Sequence, residues 1–142
     1  MSEAAQKIIE FFEALSPHSV ERFGEIYTED AFFKDPFNEV RGLVHIQPIF
    51  RHMYANLLEP RFAITACIEQ EGQVFLTWNF RFRMRRFQPD CEQVIQGASH
   101  LLLASDGRIR SHRDYWDAAE ELYEKLPLVG ALMRWLRRRA NA

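Results

Sequence analysis

Cysteine is nearly absent, with two residues in 142, Cys67 and Cys91. They stand far apart with no CxxC pair and no histidine at metal-ligand spacing. That excludes a disulfide-stapled scaffold and a zinc knuckle, and predicts two reduced, buried small side chains. A basic excess is missing too: Lys and Arg total 18 against 20 for Asp and Glu, a net charge of −2. A dedicated nucleic-acid binder would carry many more cations than anions. No run approaches the roughly 18 consecutive apolar residues of a membrane span, and the N-terminus lacks a basic-then-apolar leader. The expectation is a cytoplasmic protein with neither nucleic acid nor membrane as partner. GxGxxG, P-loop and HExxH patterns are all missing, so no metal, nucleotide or other cofactor is expected. Internal repeats and low-complexity segments are absent as well.

What is present points to one ordinary globular domain spanning 1–142. Hydrophobic residues make up 47% and charged residues 27%, which suits a packed core. Aromatic content is high at 13%, with 12 Phe and 3 Trp, and hints at a roomy interior lined with rings.

Ala5, Ile8, Ile9, Phe12 and Leu15 recur at helical spacing and predict an amphipathic helix over 2–15. Ser16-Pro17 ends it and starts a second over 17–28, because Ser suits an N-cap and Pro the first helical position. A short strand follows, stopped by Pro36, with Ala31, Phe33 and Asp35 on one face. Gly42 precedes a third helix reaching Leu58, whose stripe is Ile46, Ile49, Phe50, Met53, Tyr54 and Leu57. From residue 60 the period changes to two. Strands are expected over 62–69, 73–86, 93–104 and 108–117, joined by Gln70-Glu71-Gly72, Gln88-Pro89-Asp90 and Ser105-Asp106-Gly107. In the longest of them Trp78, Phe80, Phe82 and Met84 alternate with Asn79, Arg81, Arg83 and Arg85. The arginine row reads as a solvated face paired with Glu92, or as an anion-binding or subunit-interface surface. A short helix over 118–126 ends at Pro127. A last helix carries Leu128, Val129, Leu132, Met133 and Leu136 and finishes in Arg137-Arg138-Arg139, cations that suit a helix C-terminus.

The stretch 107–117 holds the chemistry. It leaves a tight Asp106-Gly107 turn, and alternation puts His112, Asp114 and Trp116 on one face of its strand. If that face lines the interior, an imidazole, a carboxylate and an indole stand together in an aromatic-walled site. Asp114 could otherwise pair with Arg113 or Arg110, His112 could be a satisfied interior histidine, and Trp78 and Trp116 could be plain packing.

Helices followed by a long curved meander give an α+β fold with helices on one sheet face. The aromatic first helix, Tyr27-Thr28-Glu29-Asp30-Ala31, Lys34-Asp35-Pro36-Phe37, Gly42, Trp78, Asp106-Gly107-Arg108-Ile109 and His112-Arg113-Asp114-Tyr115-Trp116-Asp117 together resemble the nuclear transport factor 2-like superfamily. Within it the chain looks most like the SnoaL-like and ketosteroid-isomerase-like proteins over residues 4–118, with a C-terminal helical extension over 118–139. The resemblance implies a cone-shaped barrel, a curved antiparallel sheet wrapped round N-terminal helices with an apolar pocket between, in a homodimer built through the outer sheet face. Members include isomerases, polyketide cyclases, epoxide hydrolases and binding domains, so the fold leaves the activity open.

Residue by residue, the resemblance puts Asp35 at the general base of the ketosteroid isomerases, Phe11 at their oxyanion-hole tyrosine and Ser99 at their protonated aspartate. Neither replacement is an equal donor: a phenyl ring cannot donate a hydrogen bond, and a serine hydroxyl is weaker. Likeness to limonene-epoxide hydrolases at Arg113-Asp114-Tyr115 and Leu126-Pro127-Leu128 matches Asp114 to one catalytic aspartate, while Asn79 and Arg81 stand where a second carboxylate would be needed. The implied activity is proton abstraction and return on a small apolar, carbonyl-containing or polycyclic molecule. Asp35 or Asp114 would be the base and His112 the acid or orienter, with Phe11, Phe33, Phe50, Tyr54, Trp78, Ser99 and Trp116 against the substrate. A carboxylate walled by rings holds its proton more tightly than one in water, which suits this role. The alternative is a non-catalytic domain that binds an apolar ligand or serves as a dimerisation scaffold.

Overall fold

Ser2 starts the chain's first helix, α1 (Glu3–Glu13), by accepting the Ala5 amide on its side chain. The same hydroxyl reaches Glu69 at 2.6 Å, which ties the start of α1 to the sheet. Ala5, Ile8 and Phe12 share the buried face. The computed structural model describes residues 1–121 and 127–141.

The second helix differs from the expected α-helix over 17–28. It is a 3-10 segment, Pro17–Glu25, held at its start by reciprocal bonding between Ser16 and Ser19 and kinked at Arg22. It stops early because Tyr27 is taken into the sheet beside Ile109. Strand β1 (Tyr27–Lys34) then runs to the turn at Asp35, and a short β2 (Glu39–Arg41), which the sequence did not announce, pairs back on it. Gly42, at φ 102°, turns the chain into α2 (Leu43–Asn56), a conformation that favours glycine. Pro48 lies inside this helix. α2 ends before the expected Leu58 because Leu57 already pairs with Met84.

The meander follows as expected, with longer first and shorter later strands: β3 (Leu57–Gln70), β4 (Gln73–Met84), β5 (Gln93–Leu103) and β6 (Ile109–Tyr115). The six strands lie in the order β2-β1-β6-β5-β4-β3. All neighbours are antiparallel except β1 and β6, which are parallel. Register shifts in β3 between Leu58 and Arg61 and between Ile64 and Ala66 add twist, and the sheet curves without closing. Its concave face meets α1, the 3-10 segment and α2 across Ile8, Phe12, Phe23, Tyr27, Phe33, Ile46, Phe50, Leu76, Leu101 and Ile109.

On the convex face Glu92 takes both Arg61 (2.6 Å) and Arg81 (2.9 Å), the pairing expected for the arginine row. Of the two free cysteines Cys67 is half-buried, and Cys91 is exposed, contrary to expectation, because it sits in the turn after Gln88. Among the described residues no helix is long and apolar enough to cross a membrane. α3 (Ala118–Glu121) is capped by Asp117, and α4 spans Pro127–Asn141. The remainder of the helix expected over 118–126 lies outside the described residues, as do the side chains of Leu128, Val129 and Met133.

Candidate functional site

The site is built where β6 crosses the middle of the sheet. Gly107, at φ 87°, makes the turn, and strand alternation from Ile109 points His112 and Asp114 inward. Leu101 stands opposite His112 and Ser99 opposite Asp114 on β5, while Leu76 of β4 lies beside Ser99. Four hydrogen bonds join five side chains there. The Tyr27 hydroxyl lies 2.6 Å from Nδ1 of His112, and Nε2 of His112 lies 2.7 Å from Oδ1 of Asp114. The Ser99 hydroxyl donates to the same Oδ1 at 2.6 Å and accepts the Trp78 indole N–H at 2.9 Å.

Donor and acceptor needs fix the direction of the chain. Burial, reinforced by the charge of Asp114, pushes the Tyr27 hydroxyl well above the ordinary tyrosine range, so its proton stays on oxygen. The Asp114 carboxylate can only accept, so the imidazole proton sits on Nε2, aimed at Oδ1, and Tyr27 donates to the bare Nδ1. Every donor in the network points towards one carboxylate oxygen. Among the described residues the other oxygen, Oδ2, has no protein partner.

Aromatic rings close the imidazole off from water. Tyr27 stacks on it at 5.9 Å, Phe12 meets it edge-on at 5.9 Å and Phe33 at 4.8 Å. His112 is 4% exposed, whereas the Asp114 side chain keeps 17%. That difference puts the carboxylate, and not the imidazole, at the edge of open space.

Two voids meet at Asp114. The inner one, about 20 Å³, lies among Phe12, Phe50, Phe62, Trp78, Ser99 and His112 and is about the size of one water. The outer one is a cavity of about 660 Å³, within the range of small-molecule sites. Its walls include Phe33, Phe50, Trp78, Phe80, Phe82 and Trp116. Trp78 reaches its place because β5 carries Gly97 opposite: a Cβ there would lie 2.4 Å from the indole. Among the described residues no group of three or more His, Cys, Asp or Glu side chains is placed to hold a metal ion.

With this geometry established, comparison with known proteins gives a family. Residues 8–112 match the SnoaL-like domain. The chain belongs to that family. No curated protein matches it. Solved structures share the fold at low identity. A protein of ketosteroid-isomerase-like fold from Catenulispora acidiphila, in complex with trimethylamine, superposes with a TM-score of 0.72 at 14% identity, covering 86% of this chain and 91% of that one. A Shewanella putrefaciens protein provisionally assigned as a SnoaL-like polyketide cyclase gives 0.70 at 20% identity over 86% and 97%. A limonene-epoxide-hydrolase-like enzyme of M. tuberculosis gives 0.68 at 18% identity over 84% and 86%. These likenesses establish the nuclear transport factor 2-like cone for this SnoaL-like domain.

Within that cone the sequence-derived residues divide. His112, Asp114, Ser99, Trp78 and Phe50 meet around the inner void, and Phe33 and Trp116 line the cavity. Asp35 also lines the cavity, but its Oδ1 accepts the backbone amides of Phe37 (2.8 Å) and Asn38 (2.7 Å), so it shapes the turn after β1. Phe11 and Tyr54 line neither void. Phe11 packs on Phe23 under the Arg22 guanidinium, one helical step round from Phe12, which takes the inward place. Among the described residues the buried Tyr54 hydroxyl has no hydrogen-bond partner, and burial pushes it up to about 12. Sequence reasoning missed Tyr27, whose only signal was that a buried tyrosine needs a partner for its hydroxyl.

Proposed function

We propose that this SnoaL-like domain is a small-molecule enzyme performing acid–base chemistry of the isomerase, cyclase or hydrolase kind on an apolar, carbonyl-containing substrate. The observation that carries the reading is Asp114: one oxygen receives His112 and Ser99, and the other, without a partner among the described residues, stands at the edge of an aromatic cavity. Oδ2 takes a proton from the carbon beside the substrate carbonyl and returns it at another position. His112 and Ser99 hold the carboxylate at a fixed angle while its charge changes, and the rings of Phe33, Phe50, Trp78 and Trp116 border the cavity it faces. His112 is a positioning residue here, with Tyr27 fixing its tautomer. Asp35, already engaged by two amides, serves the rim of the cavity and not the proton transfer.

The small ligand of the Catenulispora protein supports a small-molecule partner. Homodimer assembly through the convex sheet face belongs to the same proposal, supported by exposed Ile68, Phe75 and Tyr115 on it. So does a cytoplasmic location, supported by two free cysteines. The test is a panel of apolar ketones and enones, screened for binding by tryptophan fluorescence and then for turnover. Asp114→Asn should bind within a few-fold of wild type and lose roughly 10²–10⁴ in turnover. Binding without turnover by wild type would favour the non-catalytic ligand-binding reading, and full turnover by the variant would remove Asp114 from the chemistry.

A further inference from the structure

The cavity is electrically lopsided along its length. Asp114 and Asp35 lie towards the β6 and β1 side, whereas Arg85 and Arg86 line it just beyond the end of β4, beside His52 and Asn56 of α2. Between the two regions Trp78, Phe80, Phe82 and Met84 form one continuous apolar wall. These residues rise about 3.3 Å each, so Arg85 stands roughly 20 Å along the strand from Trp78, and less through space because the sheet curves.

The other arginines of the row are used. Arg81 pairs with Glu92, and Arg83 contacts Glu59 and the Pro89 carbonyl. Past Met84 the strand ends and Arg85 turns towards α2, its backbone N–H on the Asn56 carbonyl and its guanidinium 3.4 Å from the Tyr54 carbonyl. Among the described residues neither Arg85 nor Arg86 has a carboxylate within ion-pair distance. Two cations without counter-charge at one end of an apolar chamber, and a carboxylate at the other, set a direction for any charged guest.

We propose that the cavity takes an elongated apolar molecule bearing an anionic group, a carboxylate, at the end remote from its reacting carbon, and that Arg85 and Arg86 hold that group. This rests on the small-molecule reading above and deepens it. An anion near Asp114 is repelled; at the arginines it is attracted, so the charge fixes which end of the guest meets the base. Because both guanidiniums keep access to water, their joint contribution is on the order of tenfold in affinity.

Dansyl-amino-undecanoic acid and its methyl ester form the test pair, read by dansyl fluorescence. Wild type should bind the acid about tenfold more tightly than the ester, with the difference shrinking as salt is added. R85Q/R86Q should bind both equally while keeping its affinity for the ester, and R85K/R86K should restore most of the preference. If the ester binds and the acid binds no better, or if the preference survives in R85Q/R86Q, the anionic end is wrong while the apolar chamber stands. If neither compound binds, the chamber is closed to elongated apolar molecules and this proposal falls, while the small-molecule reading stands or falls on the ketone and enone panel.

Discussion

Tyr27→Phe removes one oxygen atom and tests the hydrogen-bond direction on which the site depends. The lost bond is a 2.6 Å contact to Nδ1 of an imidazole that is 4% exposed, so no water replaces it. His112 cannot escape by moving its proton to Nδ1, because Nε2 would then face the Asp114 oxygen at 2.7 Å lone pair to lone pair. A buried acceptor left without its donor costs about 1–3 kcal/mol. At this chain length that lowers Tm by about 3–10 °C. The pH dependence adds a second readout. The folded-state tyrosine is raised well above its unfolded value near 10, so above that pH the unfolded chain holds fewer protons than the folded one. Stability is therefore complete below about pH 10 and falls as pH rises, by up to about 1.4 kcal/mol per unit for this group. Tyr54 adds a similar loss up to its own value of about 12, equally in both proteins. Chemical denaturation at pH 8 to 11 should show wild type losing its advantage over Tyr27→Phe as pH climbs. Imidazole nitrogen shifts should place the wild-type proton on Nε2. A variant as stable as wild type at every pH would refute the assignment.

Other perturbations separate the remaining parts. Gly97→Ala pushes a methyl group into the Trp78 ring, 2.4 Å away, and should cost about 1–3 kcal/mol while shifting tryptophan emission as the indole leaves Ser99. Ser99→Ala removes the acceptor for that indole and a donor to Asp114; denaturant unfolding should show a loss of about 1–3 kcal/mol, and turnover should fall less than in Asp114→Asn. Ile68→Glu introduces a charge on the convex face and should convert a dimer to a monomer in sedimentation, whereas an unchanged mass would exclude that face as the interface.

The architecture was legible because a two-residue period is a strong signal when one face is buried: Trp78, Phe80 and Phe82 on β4 declare their face without any neighbour's help, whereas on β6 alternation put His112 and Asp114 on one side and left open which side is interior. Helix faces were less secure. A single position turns the side chain by about 100°, and that is the whole difference between Phe11, packed under Arg22, and Phe12, packed on His112. Tyr27 was beyond local reasoning. Its partner is 85 positions away and reaches it only because β1 and β6 pair in parallel, a contact no turn announces. Gly97 was equally silent, since a glycine in a strand shows its purpose only when the indole across from it is seen.

The most direct measurement follows the proton itself. Apolar ketones that bind the cavity are incubated with the protein in deuterium oxide, and exchange at the carbon beside the carbonyl is read by NMR. Wild type should wash deuterium into that carbon far faster than Asp114→Asn, while both bind the ketone alike. Equal exchange in the two proteins would contradict the assignment of Asp114 as the base.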